Sequence, residues 1–391
     1  MSEWIKMIDP IGPQKIVHVY DPETGMKGVV VVDTVSLAGA GGGTRMLPDI
    51  TTAEIFQLAR AMTHKFAILD FPVGGAKAGI WADPAIKGRK RKELMMSFGK
   101  AIKPMLSSGI ILAADMGTDN DDVALFFEGA GLPPRFTGLS TQKIDGEPLE
   151  DHVTGYGVVV AALAACQLAG LDLQGARVAV EGFGKVGGGV LRYFTEAGAK
   201  VVALSTADGA IYNKDGLDIK ALLKSRKTSG DRAVSDYQDA KHIKPQEIYS
   251  LPVDVLIPGA RPHLITRKNV EAIKAKVISS IANVPITDEA EEILFRKGVL
   301  SVPDFISNAG GVILGVVDIL GGKSDDAFKV VNNYIGPIAR RILKESRQKK
   351  VNPRALAISK TTAKVLKARK QPAGEIDLIK FMDDMKKRLG L

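Results

Sequence analysis

One cysteine, Cys166, in 391 residues excludes an internal disulfide and fits a reducing compartment. It lies in an alanine-rich apolar stretch, which points to inert core packing. Long hydrophobic runs are also missing. The longest uninterrupted one, Val158 to Cys166, is half of what a membrane span requires, and the opening MSEWIKMIDP carries no signal-peptide pattern. The expectation is a cytoplasmic protein with no membrane partner. There is no internal repeat and no low-complexity tract. The net charge of +9 is local, because residues 340 to 370 hold twelve Lys or Arg and a single acid, Glu345. That stretch has no aromatic residue to stack on bases, which argues against a nucleic-acid partner and leaves a subunit contact or a solvated helix face. With 45% hydrophobic and 25% charged residues the composition is that of an ordinary soluble protein, long enough for two cores.

What is present is most telling at KFAILDFPVGGAKAG, residues 65 to 79, where Lys65 and Lys77 flank a Pro-Gly-Gly turn. Thr51 and Glu54 form a capping-box pattern, and Ile55, Leu58, Ala59 and Met62 follow helical spacing. Lys65 then falls one turn on, at the edge of the apolar stripe, where a lysine needs an anion. Lys77 follows Gly74 and Gly75, whose missing side chains would let a ligand approach the backbone. A second cation nearby would bring its amine toward neutrality, suited to acid–base work. Asp115 ends an apolar strand, GIILAAD, and suits the floor of a cleft; the other reading is a cap for the next helix. Asp119, Asp121 and Asp122 read as a solvated helix start with no role, and no metal site is expected.

The first 130 or so residues alternate strand and helix patterns (IVHVY, GVVVVDTVSL, the helix ending near Lys65, GIILAAD), an α/β layer architecture. Residues 133 to 150 read as a connecting loop. The segment VTGYGVVVAALAACQLAG then predicts an apolar helix. ARVAVEGFGKVGGGVLRYFTEAGAKVVALS follows as strand, glycine turn, helix and strand. This βαβ context gives Gly182-x-Gly184-x-x-Gly187 its meaning as a dinucleotide turn, with Gly182 for the tight turn, Gly184 for the pyrophosphate and Gly187 for helix–sheet packing. Phe183, Lys185 and Val186 complete the turn. The second strand should end near Ser205 and Thr206, where an acidic residue would bind both ribose hydroxyls of NAD. Thr206 stands there instead, which removes the usual bar to NADP, so NADP is favoured over NAD or both are used.

The chain resembles the Glu/Leu/Phe/Val dehydrogenase family along nearly its whole length. The blocks are Thr63-x-Lys65 with Pro72-x-Gly74-Gly75-x-Lys77, GGTRM at 42 to 46, ADMGT at 114 to 118, VTGYGV at 153 to 158, GFGKVG at 182 to 187 and PDFISNAGGV at 303 to 312. The resemblance implies an α/β fold of two domains. One is a substrate-binding and oligomerisation domain, residues 1–135 with the C-terminal segment 345–391 returning to it. The other, residues 136–344, is a Rossmann-type doubly wound dinucleotide-binding domain. It implies reversible deamination of an L-amino acid to a 2-oxo acid and ammonia, and assembly into a homo-oligomer, a hexamer or octamer. Lys65 would hold the substrate α-carboxylate, Lys77 would activate the attacking water, and Asp115 would shuttle protons. Thr154 would meet the nicotinamide carboxamide, and Asn283 and Asn308 the nicotinamide ribose or the substrate. Arg45 is read as structural.

Glutamate-specific relatives place a lysine where this chain has Gly41 and a serine where it has Gly315. With Ala113 and Val312, these glycines make the inferred substrate pocket apolar and roomy, with Gly75 beside it, so a bulky apolar amino acid is favoured over glutamate. A further departure is Ser280-Ile281-Ala282-Asn283, in which Ile281 replaces a glycine beside the cofactor. The alternative readings are a glutamate dehydrogenase and a catalytically weak nucleotide- or amino-acid-binding paralogue.

Overall fold

The computed structural model describes residue 5 and residues 7–36, 38–133, 139–370 and 378–391. The chain forms two compact units, Met1–Thr141 with Ser359–Phe381, and Gln142–Ile358 with Met382–Leu391.

In the first unit, β1 (Lys15–Tyr20), β2 (Lys27–Val32), β3 (Ala40–Met46), α1 (Thr52–Ile68), β4 (Gly74–Ile80), α2 (Gly88–Ser107), β5 (Ile110–Ala114) and α3 (Asn120–Ala130) follow one another. The sheet order is β1-β2-β4-β3-β5. β3 runs parallel to both its neighbours, and β1 and β2 are antiparallel additions. One face carries Val30, Val32, Ala76, Ala78 and Leu112 against Met95, Phe98 and Ile102 of α2 and Phe126 and Phe127 of α3. The other carries Val29 and Val31 against Ile55, Leu58 and Ala59 of α1. Covering both faces explains why β2 reads as a continuous valine run rather than an alternation. The expected Pro-Gly-Gly turn is instead the entry to β4, which starts at Gly74.

The second unit opens with a small hairpin, β6 (Lys143–Ile144) and β7 (Glu147–Pro148). Part of the expected 133–150 loop is therefore ordered structure, and residues 134–138 lie outside the described residues. Next come α4 (Leu149–Ala169), β8 (Arg177–Glu181), α5 (Lys185–Glu196), β9 (Lys200–Thr206), β10 (Gly209–Tyr212), α6 (Ile219–Ser229), α7 (Arg232–Ser235), β11 (Lys241–Ile243), β12 (Val255–Pro258) and β13 (Val277–Ser279). The chain continues through α8 (Asp288–Arg296), β14 (Leu300–Val302), α9 (Asp304–Ser307), α10 (Gly310–Ile319), α11 (Ser324–Lys349), α12 (Pro353–Arg369) and α13 (Leu378–Leu389). The order β11-β10-β9-β8-β12-β13-β14 places β8 beside β12, so strand progression reverses between them. In an open parallel sheet that reversal is where ligands bind, at the carboxyl ends of the strands.

α4 is long and apolar enough to cross a membrane by length and composition, yet 67% of its apolar window is buried. It is the core helix of the unit. Glycines let its neighbours approach: a methyl group on Gly155 would stand 2.7 Å from Val190 N of α5, and one on Gly157 would stand 2.8 Å from Ile335 of α11. Burial pushes the Cys166 thiol up to about 12, consistent with inert packing.

The return to the first unit falls at Ser359, later than the expected position 345. The reason is α11, which buries Val330, Val331, Ile335, Ile338, Ile342 and Leu343 and reaches Lys349 within the second unit. From there the chain joins α1: His64 Nδ1 lies 2.8 Å from Thr361 Oγ1, and Lys364 Nζ donates to Ala67 O at 3.2 Å. One cation of the basic stretch is internal: Arg354 is buried against Asp304, whereas Arg347 stays exposed and donates to Leu168 O at 3.1 Å.

Candidate active site

β4 and β5 lie on opposite sides of β3, so Lys77 and Asp115 can meet only across that strand. They do: Lys77 Nζ is 2.7 Å from Asp115 Oδ2. Gly43 of β3 makes this possible, since a methyl group there would stand 2.9 Å from Asp115 Cβ and 3.1 Å from Lys77 Nζ. Arg45, two residues along β3, puts Nε 3.4 Å from the same carboxylate oxygen and Nη1 2.6 Å from Glu54 Oε1. Burial opposes ionisation of Asp115, but Lys77 first and then Arg45 override it and hold its carboxyl well below the usual carboxylate range. The site is an anion caught between two buried cations.

The strand end that presents Asp115 is built rather than loose. Asp115 N donates to Thr118 Oγ1 at 3.0 Å, and that hydroxyl donates to Thr44 O at 2.7 Å. Gly117 has φ 82°, and a side chain on it would strike Met46 O. Arg91 donates to Gly117 O at 2.9 Å and grips Asp122 at 2.6 Å. Asp122 is therefore a buried anchor, not a solvated residue, and Asp119 rather than Asp115 caps α3. Asp122 is the counter-ion of Arg91 at this turn.

The lysine pair differs from expectation. The group in contact with Lys77 is a carboxylate, and Lys65 is buried in the last turn of α1. Glu54 supplies only half of a capping box: its N–H donates to Thr51 Oγ1 at 3.1 Å, while its side chain goes to Arg45. Gly74 and Gly75 do not open the backbone to a ligand. Side chains there would collide with Thr34 O and with the Ala59 carbonyl and Thr63 of α1, so these glycines serve close strand and helix packing. Thr63 Oγ1 in turn donates to buried Asp33 at 2.5 Å, beside Arg60 Nε at 2.8 Å. Gly41 is buried, and a methyl group on it would meet Phe66 at 3.3 Å and Val73 at 3.6 Å, an apolar boundary. Ala113 is half-buried on β5.

In the second unit Gly182 has φ 100° and ends β8 at the switch point, where its added methyl would lie 3.0 Å from Gly259. Its N–H donates to Ser205 O at 3.0 Å, tying the turn to β9. Gly187 faces Gly182 O so closely that a side chain would collide. Gly184 is different, with nothing within 4 Å of an added methyl and no side chain capping α5 behind it. An open glycine at an uncapped helix N-terminus fits a pyrophosphate, which takes backbone N–H donors and the helix dipole. Phe183 is buried under Arg226, whose Cζ is 4.9 Å from the ring centre; Lys185 is exposed and Val186 half-exposed. At the end of β9, Thr206 Oγ1 donates to Asp231 O at 3.3 Å, and no carboxylate replaces it in the strand.

Asn308 and Asn283 are brought together: Asn308 Nδ2 donates to Asn283 Oδ1 at 3.0 Å and to Ile281 O at 3.0 Å. Thr154 sits on α4 where α10 begins, and a methyl on Gly311 would stand 3.1 Å from its hydroxyl. Val312 and Gly315 are half-buried on one face of α10, and the space beside Gly315 is open for 4 Å. Ile281 packs its side chain over Gly259, 2.9 Å from an added methyl.

Two contributors are not legible in the sequence, and a third, Arg45, read as structural, adds a contact to Asp115. Gly43 is hidden in a run of three glycines. Glu181, at the end of β8, accepts from Gly259 N at 2.7 Å and Ala260 N at 2.9 Å and joins the two strands of the switch point. Burial pushes its carboxyl up, against the pull of those two donors.

Residues 13–130 match the Glu/Leu/Phe/Val dehydrogenase dimerisation domain, and residues 146–372 match the Glutamate/Leucine/Phenylalanine/Valine dehydrogenase domain. A glutamate dehydrogenase of Aeropyrum pernix is 37% identical over 71% of this chain and 68% of its own length. One from Thermotoga maritima is 38% identical over 73% and 70%. The structure is similar, at TM-score 0.80 and 26% identity over 91% of this chain and 89% of the other, to a hetero-hexameric glutamate dehydrogenase of Thermus thermophilus in a leucine-bound form. With Lys77 and Asp115 paired across β3 and an open glycine at a sheet switch point, the chain belongs to the Glu/Leu/Phe/Val dehydrogenase family, NAD(P)-dependent oxidoreductases of amino acids acting on CH–NH2 groups.

Proposed function

We propose that this dehydrogenase reversibly deaminates a bulky apolar L-amino acid to its 2-oxo acid and ammonia, with NADP favoured over NAD. The observation that carries the chemistry is the Lys77–Asp115 pair at 2.7 Å. A lysine and a carboxylate in contact can pass a proton between them, so that Lys77 orients and polarises a water and Asp115 moves protons to and from the substrate nitrogen. Lys65, buried at the end of α1, is assigned the substrate α-carboxylate, for which a single cation of this reach suffices. When bound, the nicotinamide supplies the hydride acceptor. Gly184 and the α5 N-terminus at Lys185 and Val186 would hold the pyrophosphate in the turn that Gly182, Phe183 and Gly187 shape, Ser205 and Thr206 would border the adenine ribose, and Thr154, Asn283 and Asn308 would orient the nicotinamide half.

The choice of side chain rests on Gly41 and Gly315. Phe66 and Val73 bound the first and open space borders the second, and neither position offers a cation to a side-chain carboxylate. An unpaired buried carboxylate is destabilised by several kcal/mol. Glutamate remains the second reading because the two curated relatives carry that name. A spectrophotometric screen of twenty amino acids with both nicotinamides separates the readings. Turnover of leucine- or phenylalanine-sized substrates is expected; strong preference for glutamate refutes the pocket argument, and no turnover at all favours a binding paralogue. The coenzyme reading fails if efficiency with NAD exceeds that with NADP a hundredfold. A cytoplasmic homo-oligomer, a hexamer or octamer, is proposed on the strength of the dimerisation-domain match; a monomeric mass in solution would refute it.

A further inference from the structure

Residues 280–284, between β13 and α8, carry Asn283 and are gripped one after another from a single short helix. Ser307 Oγ donates to Ser280 O at 2.8 Å. Asn308 Nδ2 shares its two hydrogens among Ile281 O, Ala282 O and Asn283 Oδ1, at 3.0, 3.2 and 3.0 Å. Asp304 Oδ2 accepts from Val284 N at 2.8 Å. Val284 has φ 52°, a conformation a β-branched residue adopts only when its surroundings impose it, and its carbonyl accepts from His263 N at 2.9 Å, His263 itself having φ 56°. The other oxygen of Asp304 is held by Arg354 Nη1. Both residues are buried, and Arg354 also lies over Phe305, 5.5 Å from the ring centre, and faces buried Glu291.

We infer that Arg354 and Asp304 are positioning residues for cofactor binding, locking the 280–284 loop in its left-handed turn so that Asn283 is presented in one orientation. Resting on the proposed function, the inference assigns a purpose to a charge that α12 carries from far along the chain into the dinucleotide-binding unit. A buried cation serving only stability would need no link to the loop; here one carboxylate spans both, one oxygen on the guanidinium and the other on Val284 N–H. The strained residue follows directly after Asn283, where a change of backbone angle swings the amide most.

The test compares two ligands on the full-length protein. ADP engages the glycine turn without reaching Asn283, whereas NADP(H) or NAD(H) needs both. Asp304→Asn keeps an acceptor for Val284 N–H and removes the ion pair, while Glu291 still accompanies Arg354. It is expected to raise the dissociation constant of the dinucleotide about tenfold and leave that of ADP unchanged. Arg354→Met should do the same, and Arg354→Lys, which retains the charge, should recover about half of that loss on a logarithmic scale. Equal weakening of both ligands, or of neither, overturns the inference. If the unsubstituted protein binds ADP and no nicotinamide dinucleotide, the functional reading itself falls, an outcome visible before any variant is made.

Discussion

The two glycine blocks of this chain do opposite things. At Gly74–Gly75 the space a side chain would occupy is filled by Thr34 O on one side and by α1 on the other; at Gly184 it is empty for 4 Å. In the first unit glycine lets the backbone pack so tightly that the chemistry is left to side chains, and Gly43 admits Lys77 to Asp115 in the same way. At Gly184 glycine bares the backbone itself, and the phosphate site proposed there would consist of main-chain N–H groups and a helix dipole. A glycine motif therefore names a need for space without saying whether chain or ligand will take it.

The sharpest way to break this division is Lys77→Ala. If the first unit works by side chains, turnover should fall by about 10²–10⁴ while ADP and dinucleotide binding, which depend on the second unit, stay within twofold. Steady-state assays beside equilibrium titration would show it, and retained turnover would move the catalytic amine elsewhere. Next in size is a pair of identical substitutions. Gly75→Ala should lower stability by about 3 kcal/mol, since the Ala59 carbonyl and the Thr63 backbone nitrogen, besides the Thr63 hydroxyl, stand in the way. Gly184→Ala should leave the denaturation midpoint unchanged and weaken ADP binding about tenfold, roughly 1.4 kcal/mol. The contrast collapses if both variants lose stability or both lose only binding.

Arg45→Met sharpens the first half of the comparison. Arg45 stands behind Lys77 in holding the Asp115 carboxyl low. The carboxylate form is stabilised above the ordinary carboxylate range and is lost as pH falls through the depressed value, so removing Arg45 should shift the acidic limb of kcat/KM toward higher pH. A pH–rate profile with an unmoved acidic limb would show that Lys77 alone sets the charge of Asp115.

Much of this was legible because it is periodic or local. The valine run of β2, the βαβ context of Gly182, the end of β9 at Thr206 and the apolar helix α4 each follow from spacing within one segment. What was not legible depends on pairing between segments. That Gly75 meets Ala59 and Thr63 is fixed by α1 crossing β4, which no spacing encodes. Asp122 reads as solvated until Arg91 arrives from α2, and the late return of the chain at Ser359 follows from how much of α11 is buried. Arg45 reads as structural, and its two partners, which come from α1 and from the end of β5, are not encoded by any spacing.

The second unit contains one buried charge cluster that runs against the division. Glu291 is pushed up to about 7 by burial and by Asp304, against the pull of Arg354, and its Oε2 is among the buried oxygens without a hydrogen-bond partner. Its ordinary value is 4.5. Between 4.5 and about 7 the folded state holds the proton that the unfolded state releases, so Glu291 withdraws stability as pH rises through that window, and the loss is complete above 7. Glu291→Gln keeps the shape and removes the titration. It should leave stability at pH 4.5 nearly unchanged and raise it at pH 8 by about 1 kcal/mol or somewhat more. Urea midpoints at the two pH values measure it. A gain of equal size at both would mean that the amide improves packing and that the carboxyl is not titrating, and a loss at pH 8 would mean that Arg354 needs two anions, in which case Asp304 does not hold the 280–284 loop alone.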